Sequence, residues 1–194
     1  MPASKGDEYL RALLDDDKPA RTVGLFTAHA LKPEDVERLV DSCIAAMRET
    51  NGGADVAMKP LTDGVEPVKM WRLTMREGAD AKPHDCLLQL YDMRGQSSPH
   101  RALFERILRT DEELATATRR LQANAVTYLQ FASGKLDHDE RVHPFENLVS
   151  LFATALNAAI VDSKASMVTM DPVEWVEALE ESLEMERELG EQRR

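Results

Sequence analysis

Four prolines divide this chain into units in which a short apolar run is followed by an amphipathic stretch. They are Pro33, Pro99, Pro144 and Pro172. Proline is favoured at the first position of a helix, because its fixed φ suits the helix and its missing N–H would have no partner there. Each proline therefore predicts a passage from a strand into a helix. Four such passages predict alternating strands and helices, with loops at the strand ends as the expected place for a site.

The apolar spacing after two of these prolines supports core-facing helices, because apolar residues recur there at three- and four-residue intervals. The two stripes are Val36, Leu39, Val40, Cys43, Ile44 and Met47, then Phe145, Leu148, Val149, Phe152 and Leu156. Three further helices are predicted: one after Pro99, one from Asp111 to about Gln122, and one after Pro172. Strands are predicted at 22–28, 55–61, 68–76, 86–91 and 125–132, followed by a closing hairpin at 158–162 and 167–170.

These elements predict one α+β domain over residues 21–184. Its mixed β-sheet is expected to have six or seven strands flanked by four or five helices. A chain of 194 residues is long enough to bury a core without disulfides or metals. Residues 1–20 are predicted as an N-terminal extension able to form a short helix at 7–14, and residues 185–194 as a fraying acidic tail.

The last third of the chain resembles a known group of domains. Asn-Ala-Ala-Ile-Val-Asp at 157–162, Met-Val-Thr at 167–169 and Pro-Val-Glu-Trp at 172–175 carry the resemblance. They resemble the C-terminal part of uncharacterised bacterial α+β domains of unknown function, which close with a helix, a short hairpin and a Pro-x-Glu-aromatic helix start. The resemblance implies the same fold class and a bacterial source, and it implies no chemistry.

The charge and the cysteines restrict the class of protein. The net charge of −11 argues against nucleic acid or an anionic membrane as the main partner, because both require a basic surface. No stretch has the length of a membrane span, and the first residues lack the apolar core of a signal peptide. Cys43 and Cys86 occupy apolar patterns, so both are expected to be small buried hydrophobes. These features predict a cytoplasmic protein.

Much of the negative charge lies near the end of the sequence. Residues 171–194 contain nine acidic residues against three arginines, which leaves −6 of the total of −11. A charged helix face of this kind usually serves solubility. The alternative is a surface for a basic partner, with Glu177, Glu180, Glu181 and Glu184 as the candidate residues.

A second candidate surface is a row of polar side chains on one predicted strand. Arg72, Thr74 and Arg76 alternate with Trp71, Leu73 and Met75, and Tyr91 lies on an adjoining strand. Long arginine stems can simply cover the outer face of a sheet. Arginine and tyrosine are also favoured in protein interfaces, so Arg72, Arg76 and Tyr91 are candidate partner-binding residues.

Signatures of catalysis are scarce in this sequence. It has no phosphate-binding glycine motif, no Gly-x-Ser-x-Gly and no His-Glu-x-x-His. The run from Asp137 to Glu140, followed by His143, combines imidazole and carboxylates that suit a metal or acid–base chemistry, although a solvated loop before a helix has the same composition. His29, Asp92, Arg94 and His138 would share a cleft if the strands that carry them are neighbours.

Three functions are compatible with these observations. The leading hypothesis is a non-enzymatic cytoplasmic protein-binding module, of the immunity protein, secretion chaperone or adaptor type, that uses an acidic surface and needs no metal or cofactor. One alternative is a small metal-dependent or acid–base enzyme centred on the loop from Asp137 to His143. The other is a small-ligand sensor with its pocket at the strand ends.

Overall fold

The computed structural model describes residues 21–51, 54–63, 67–77, 81–94, 121, 124–133, 143–162, 165 and 167–191. Seven strands lie within them: β1 (Arg21–Thr27), β2 (Ala54–Asp63), β3 (Lys69–Glu77), β4 (His84–Asp92), β5 (Thr127–Ser133), β6 (Ala159–Asp162) and β7 (Met167–Thr169). The three helices in these ranges are α1 (Pro33–Asn51), α2 (His143–Leu156) and α3 (Pro172–Glu191). The α+β prediction and the strand number are thereby confirmed, and three of the four or five predicted helices lie within the described ranges. The helices predicted at 7–14 and after Pro99, and nearly all of that at 111–122, lie outside the described residues.

All seven strands belong to one sheet in the order β2-β3-β4-β5-β1-β6-β7, and every neighbouring pair is antiparallel. The sequence analysis predicted a mixed sheet, and this prediction was wrong, because every pair of neighbouring strands is antiparallel. Two of the helices nevertheless join strands that run in the same direction: α1 connects β1 to β2, and α2 connects β5 to β6. These strands are never neighbours: β5, β4 and β3 lie between β1 and β2, and β1 lies between β5 and β6.

One face of the sheet carries the main core. Alternate residues of the central strands face the three helices, as Trp71, Leu73 and Met75 do in β3, and all three are fully buried. Both predicted helix stripes pack there: Phe152 of α2 is fully buried, and its ring makes an edge contact with Phe131 at 5.4 Å between centroids. The buried stripe is what fixes α1 and α2 on this face.

The opposite face contains a smaller aromatic cluster that requires a glycine. Tyr128 stacks on Phe26 with ring centroids 4.5 Å apart, and Tyr91 lies 5.5 Å from Tyr128. The Tyr128 ring crosses the neighbouring strand at Gly24, where an added Cβ would lie 2.6 Å from the ring atom Cε2. Gly24 therefore permits the close approach of the ring to the backbone of β1.

A buried group of charges connects the start of β1 to α2, to the end of the neighbouring strand β6 and to α3. The Arg21 guanidinium donates from Nη2 to Asp162 Oδ2 at 3.0 Å, and its Nη1 lies 3.5 Å from Glu146 Oε1. The indole Nε1 of Trp175 also donates to Asp162 Oδ2, at 2.8 Å. Arg21 further lies over the rings of Phe145 and Trp175, at 5.4 and 5.6 Å from their centroids. We call Arg21, Glu146, Asp162 and Trp175 the buried charge cluster.

Replacing Asp162 by alanine is expected to lower the free energy of unfolding by about 3 kcal/mol or more, because a buried guanidinium and an indole N–H both lose their acceptor. The Asp162 side chain is fully buried, and that of Arg21 is 10% exposed. Chemical denaturation measures the change. The control is Asp41→Ala on the exposed side of α1, expected to change stability by less than about 0.5 kcal/mol. Equal stability of the two variants would contradict a stabilising role for the cluster.

Replacing Gly24 by alanine is expected to cost about 2 kcal/mol, because the buried Tyr128 ring must move away from the new Cβ. The same substitution in a Tyr128→Leu background is expected to cost less than about 0.5 kcal/mol, since the obstructing ring is absent. Denaturation of the four proteins of this cycle gives the coupling between the two positions. An equal cost in both backgrounds would show that the ring contact is not the constraint.

Candidate functional site

The acidic surface is formed by α3, whose start is fixed by side-chain hydrogen bonds. Asp171 caps the helix by accepting from the backbone N–H of Val173 at 2.9 Å, and Pro172 occupies the first helical position. The hydroxyl of Thr169 donates to Glu174 and accepts from the backbone N–H of Asp171. These bonds stabilise the helix start that Pro172 predicted.

One side of α3 is anchored and the other is exposed. Trp175, Leu179 and Leu183 are buried at four-residue intervals, the spacing of a helix face. The exposed side carries the four candidate residues Glu177, Glu180, Glu181 and Glu184, together with Glu188. In the part of the chain that the structure describes, Glu177, Glu181 and Glu184 form no ion pair. We call this set of five glutamates the acidic face.

The end of α3 extends beyond the last buried contact. The helix continues to Glu191, whereas the sequence predicted fraying from about residue 185. Leucine, methionine, glutamate and arginine all favour a helix, which accounts for the extra turns. Met185 and Leu189 are one turn apart and are 61% and 49% exposed. They border the acidic face and add an apolar strip to it.

Of the two arginines in this row of β3, Arg72 is paired with an acidic residue. Arg72 donates from Nε to Asp85 Oδ1 at 3.1 Å, and Thr74 donates to the same oxygen at 2.7 Å. Arg76 is exposed and lies opposite Asp55 in the sheet register. Tyr91 is 9% exposed and packs on Tyr128, at the far end of the face from Arg76. The structure thus places Arg72 and Arg76 on one surface and Tyr91 in the interior.

A pocket lies at the edge of the sheet where β1 and β4 end. Both strands are antiparallel to β5, which lies between them, so their ends reach the same edge, where Thr127 pairs with Thr27 on one side and Asp92 on the other. The pocket has a volume of about 150 Å³. Its apolar walls come from Leu31, Pro33, Val68 and Leu90. We call it the strand-end pocket.

The charged rim of this pocket contains two of the residues proposed to share a cleft. Arg94 Nε lies 2.9 Å from both carboxylate oxygens of Asp92, and this contact holds the pKa of Asp92 below its usual value. Lys32 also lines this pocket. His29 is exposed and precedes the lining residues, whereas His138 lies outside the described residues.

Two threonines hold the connection between β1 and α1 in place. The Thr127 hydroxyl donates to the carbonyl of His29 at 2.6 Å and accepts from the backbone N–H of Leu31 at 3.3 Å. The Thr27 hydroxyl donates to the carbonyl of Leu156 at 2.8 Å and accepts from the N–H of His29 at 3.2 Å. These bonds fix the wall of the strand-end pocket. In the sequence, Thr27 ends the apolar run of β1, whereas Thr127 begins β5.

The loop suggested for metal or acid–base chemistry lies at 137–142, outside the described residues. His143, which follows it, begins α2, and its Nδ1 lies 3.9 Å from Glu146 Oε2. In the described ranges, no group of three or more His, Cys, Asp or Glu side chains is arranged to hold a metal ion. The enzyme alternative thus stays a prediction.

Both cysteines are buried, as the sequence predicted. Burial raises the pKa of the Cys43 thiol to about 11 and that of Cys86 further above its usual value. Only the thiolate is a strong nucleophile, so neither residue is suited to covalent catalysis at neutral pH.

Comparisons with family models, curated proteins and solved structures found no match for this chain. The resemblance of the last third to bacterial α+β domains therefore stays a prediction. Among the described helices, none combines the length and the apolar character needed to cross a membrane.

Proposed function

We propose that this protein is a non-enzymatic cytoplasmic binding module that uses α3 to recognise a protein with a basic surface. The observation that carries this proposal is the exposed side of α3, where five glutamates border the exposed Met185 and Leu189. An interface commonly combines an apolar contact with a charged surround, and complementary charge accelerates association. Nucleic acid is a poor partner for this surface, because phosphates would be repelled by it.

The two parts of this surface are expected to act at different steps of binding. Long-range attraction by exposed charges mainly raises the association rate, whereas apolar groups that become buried in the complex mainly slow dissociation. Because the acidic face and the apolar strip occupy neighbouring positions on one rigid helix, each can be altered without the other. The buried charge cluster and the apolar contacts of Trp175 and Leu179 would keep α3 in place in both kinds of variant.

The partner is identified by photo-crosslinking in the native host, with p-benzoyl-phenylalanine placed at position 185 of α3. A matched probe at position 41, on the exposed side of α1, serves as the control. A protein with a basic surface that crosslinks from position 185 and not from position 41 is the expected result. Equal capture from both positions, or capture of acidic proteins alone, would contradict the proposal.

Changing Glu177, Glu180, Glu181 and Glu184 to glutamine is expected to slow association with the purified partner by about tenfold at low ionic strength and to flatten its salt dependence. The dissociation rate is expected to stay nearly unchanged. The control changes Glu34, Asp41, Glu49 and Glu77 to their amides, which removes the same charge elsewhere on the surface. If both variants slow association equally, the effect is that of net charge and the acidic face is ordinary surface. Arg72 and Arg76 would then be the next residues to test.

The variant Met185→Ala/Leu189→Ala is expected to raise the dissociation rate about tenfold and to leave the association rate within about twofold. Both side chains are largely exposed in the free protein, so its stability is expected to change by less than about 0.5 kcal/mol. Surface plasmon resonance with the purified partner gives both rates. An unchanged dissociation rate would remove the apolar strip from the interface.

A further inference from the structure

The strand-end pocket has the features of a binding site that is separate from α3. Its lining comes from the connection between β1 and α1, from Val68 before β3 and from the end of β4, and the threonine hydrogen bonds hold the first of these in place. Leu90 and Thr127 are 2% and 3% exposed, so these two side chains form the base of the pocket within the protein. A site built on fixed backbone needs little reorganisation to accept a ligand.

The volume and the walls limit the size of the ligand. A cavity of roughly 150 Å³ accommodates a benzene-sized group, which is smaller than most metabolites and cofactors. The walls formed by Leu31, Val68 and Leu90 suit a ligand with an aliphatic part, because binding removes the apolar surfaces of both the ligand and the pocket from water. The Thr127 hydroxyl already donates to and accepts from the backbone, so it does not demand a polar ligand group at the base.

The rim determines the charge that the ligand should carry. Asp92 is occupied by the guanidinium of Arg94 and by its backbone N–H at 2.9 Å, so this acid is already neutralised. Lys32 forms no ion pair within the described ranges: its backbone N–H donates to the nearby Asp35 at 2.9 Å, and the carboxylate of Asp35 is itself paired with Arg38. The rim therefore has one cation in excess beside an apolar cavity, in a protein whose net charge is −11.

The geometry points to a binding site for a short branched-chain carboxylate in the strand-end pocket, with the aliphatic body against Leu31, Val68 and Leu90 and the carboxylate at Lys32. Arg94 lies on the same rim and presents the rest of its guanidinium to solvent. This site does not depend on the function proposed for α3, since the two lie on different elements. It would give the protein a small-molecule response in addition to protein binding.

Three probes with the same aliphatic body and different charge test this inference: isovalerate, isoamyl alcohol and isoamylamine. Each is titrated into the full-length ¹⁵N-labelled protein, and amide shifts are followed by NMR. Isovalerate is expected to shift the amides of residues 30–32, 68 and 127 saturably, and to bind at least about threefold more tightly than the alcohol, the factor that one exposed ion pair contributes. The amine is expected to bind most weakly.

Two variants and one control locate the site. Lys32→Met keeps the aliphatic stem of the side chain and removes its charge. It is therefore expected to lower the affinity for isovalerate by about threefold and to leave the affinity for isoamyl alcohol unchanged. Val68→Trp fills the cavity and is expected to abolish binding of all three probes. Lys82→Met, before β4 and thus at the opposite edge of the sheet, is expected to change nothing.

Three results would overturn the inference: the absence of saturable shifts at residues 30–32, 68 and 127, tighter binding of the amine than of isovalerate, and equal effects of Lys32→Met and Lys82→Met. Because Lys32 is exposed, its variant is expected to fold normally, so the charge test remains decisive even if Val68→Trp disturbs the fold.

Discussion

The contact between Arg21 and Asp162 is the interaction on which the arrangement of the elements most depends. A buried charge is expensive unless it is paired, so the guanidinium can be accommodated only where β1, α2, β6 and α3 meet around it. Phe145 and Trp175 contact its guanidinium and exclude water from the pair. Apolar packing alone would tolerate small shifts of α3 along the sheet. The hydrogen bond from Trp175 to Asp162 would be broken by such shifts, and it thereby sets the direction in which the acidic face points.

The individual elements could largely be predicted from the sequence, because their signals are local. Proline at the helix starts, three- and four-residue apolar spacing in α1 and α2, and alternation in β3 all depend on neighbouring residues. The strand order could not be predicted in this way. Whether a helix returns the chain to an adjacent strand or carries it past several is decided by long-range packing, and the predicted mixed sheet was wrong for that reason.

The residues of the candidate sites likewise fall into two groups, those that local sequence signals indicate and those that only long-range packing brings together. The charge of α3 is a matter of composition, so Glu177 and its neighbours were evident before the structure. Asp162 ends the hairpin strand predicted at 158–162, and nothing near it in the sequence indicates that its carboxylate is buried, as it is at the end of β6. Its real role depends on Arg21, which is far away in the sequence. The meeting of Asp92 and Arg94 with Lys32 likewise required knowledge that β1 and β4 flank β5.

The position of β1 in the sheet has a consequence for the order of assembly during synthesis. The strands β2, β3 and β4 form a meander of sequence neighbours that can pair as soon as they leave the ribosome. In contrast, β1 is made before them but pairs with β5 and β6, and Thr27 must wait for Thr127, about 100 residues later. Until β5 has been synthesised, the apolar run of β1 from Val23 to Phe26 has no neighbouring strand with which to pair. The early chain thus presents an unpaired hydrophobic strand while about 100 further residues are synthesised, and chaperones bind segments of this kind.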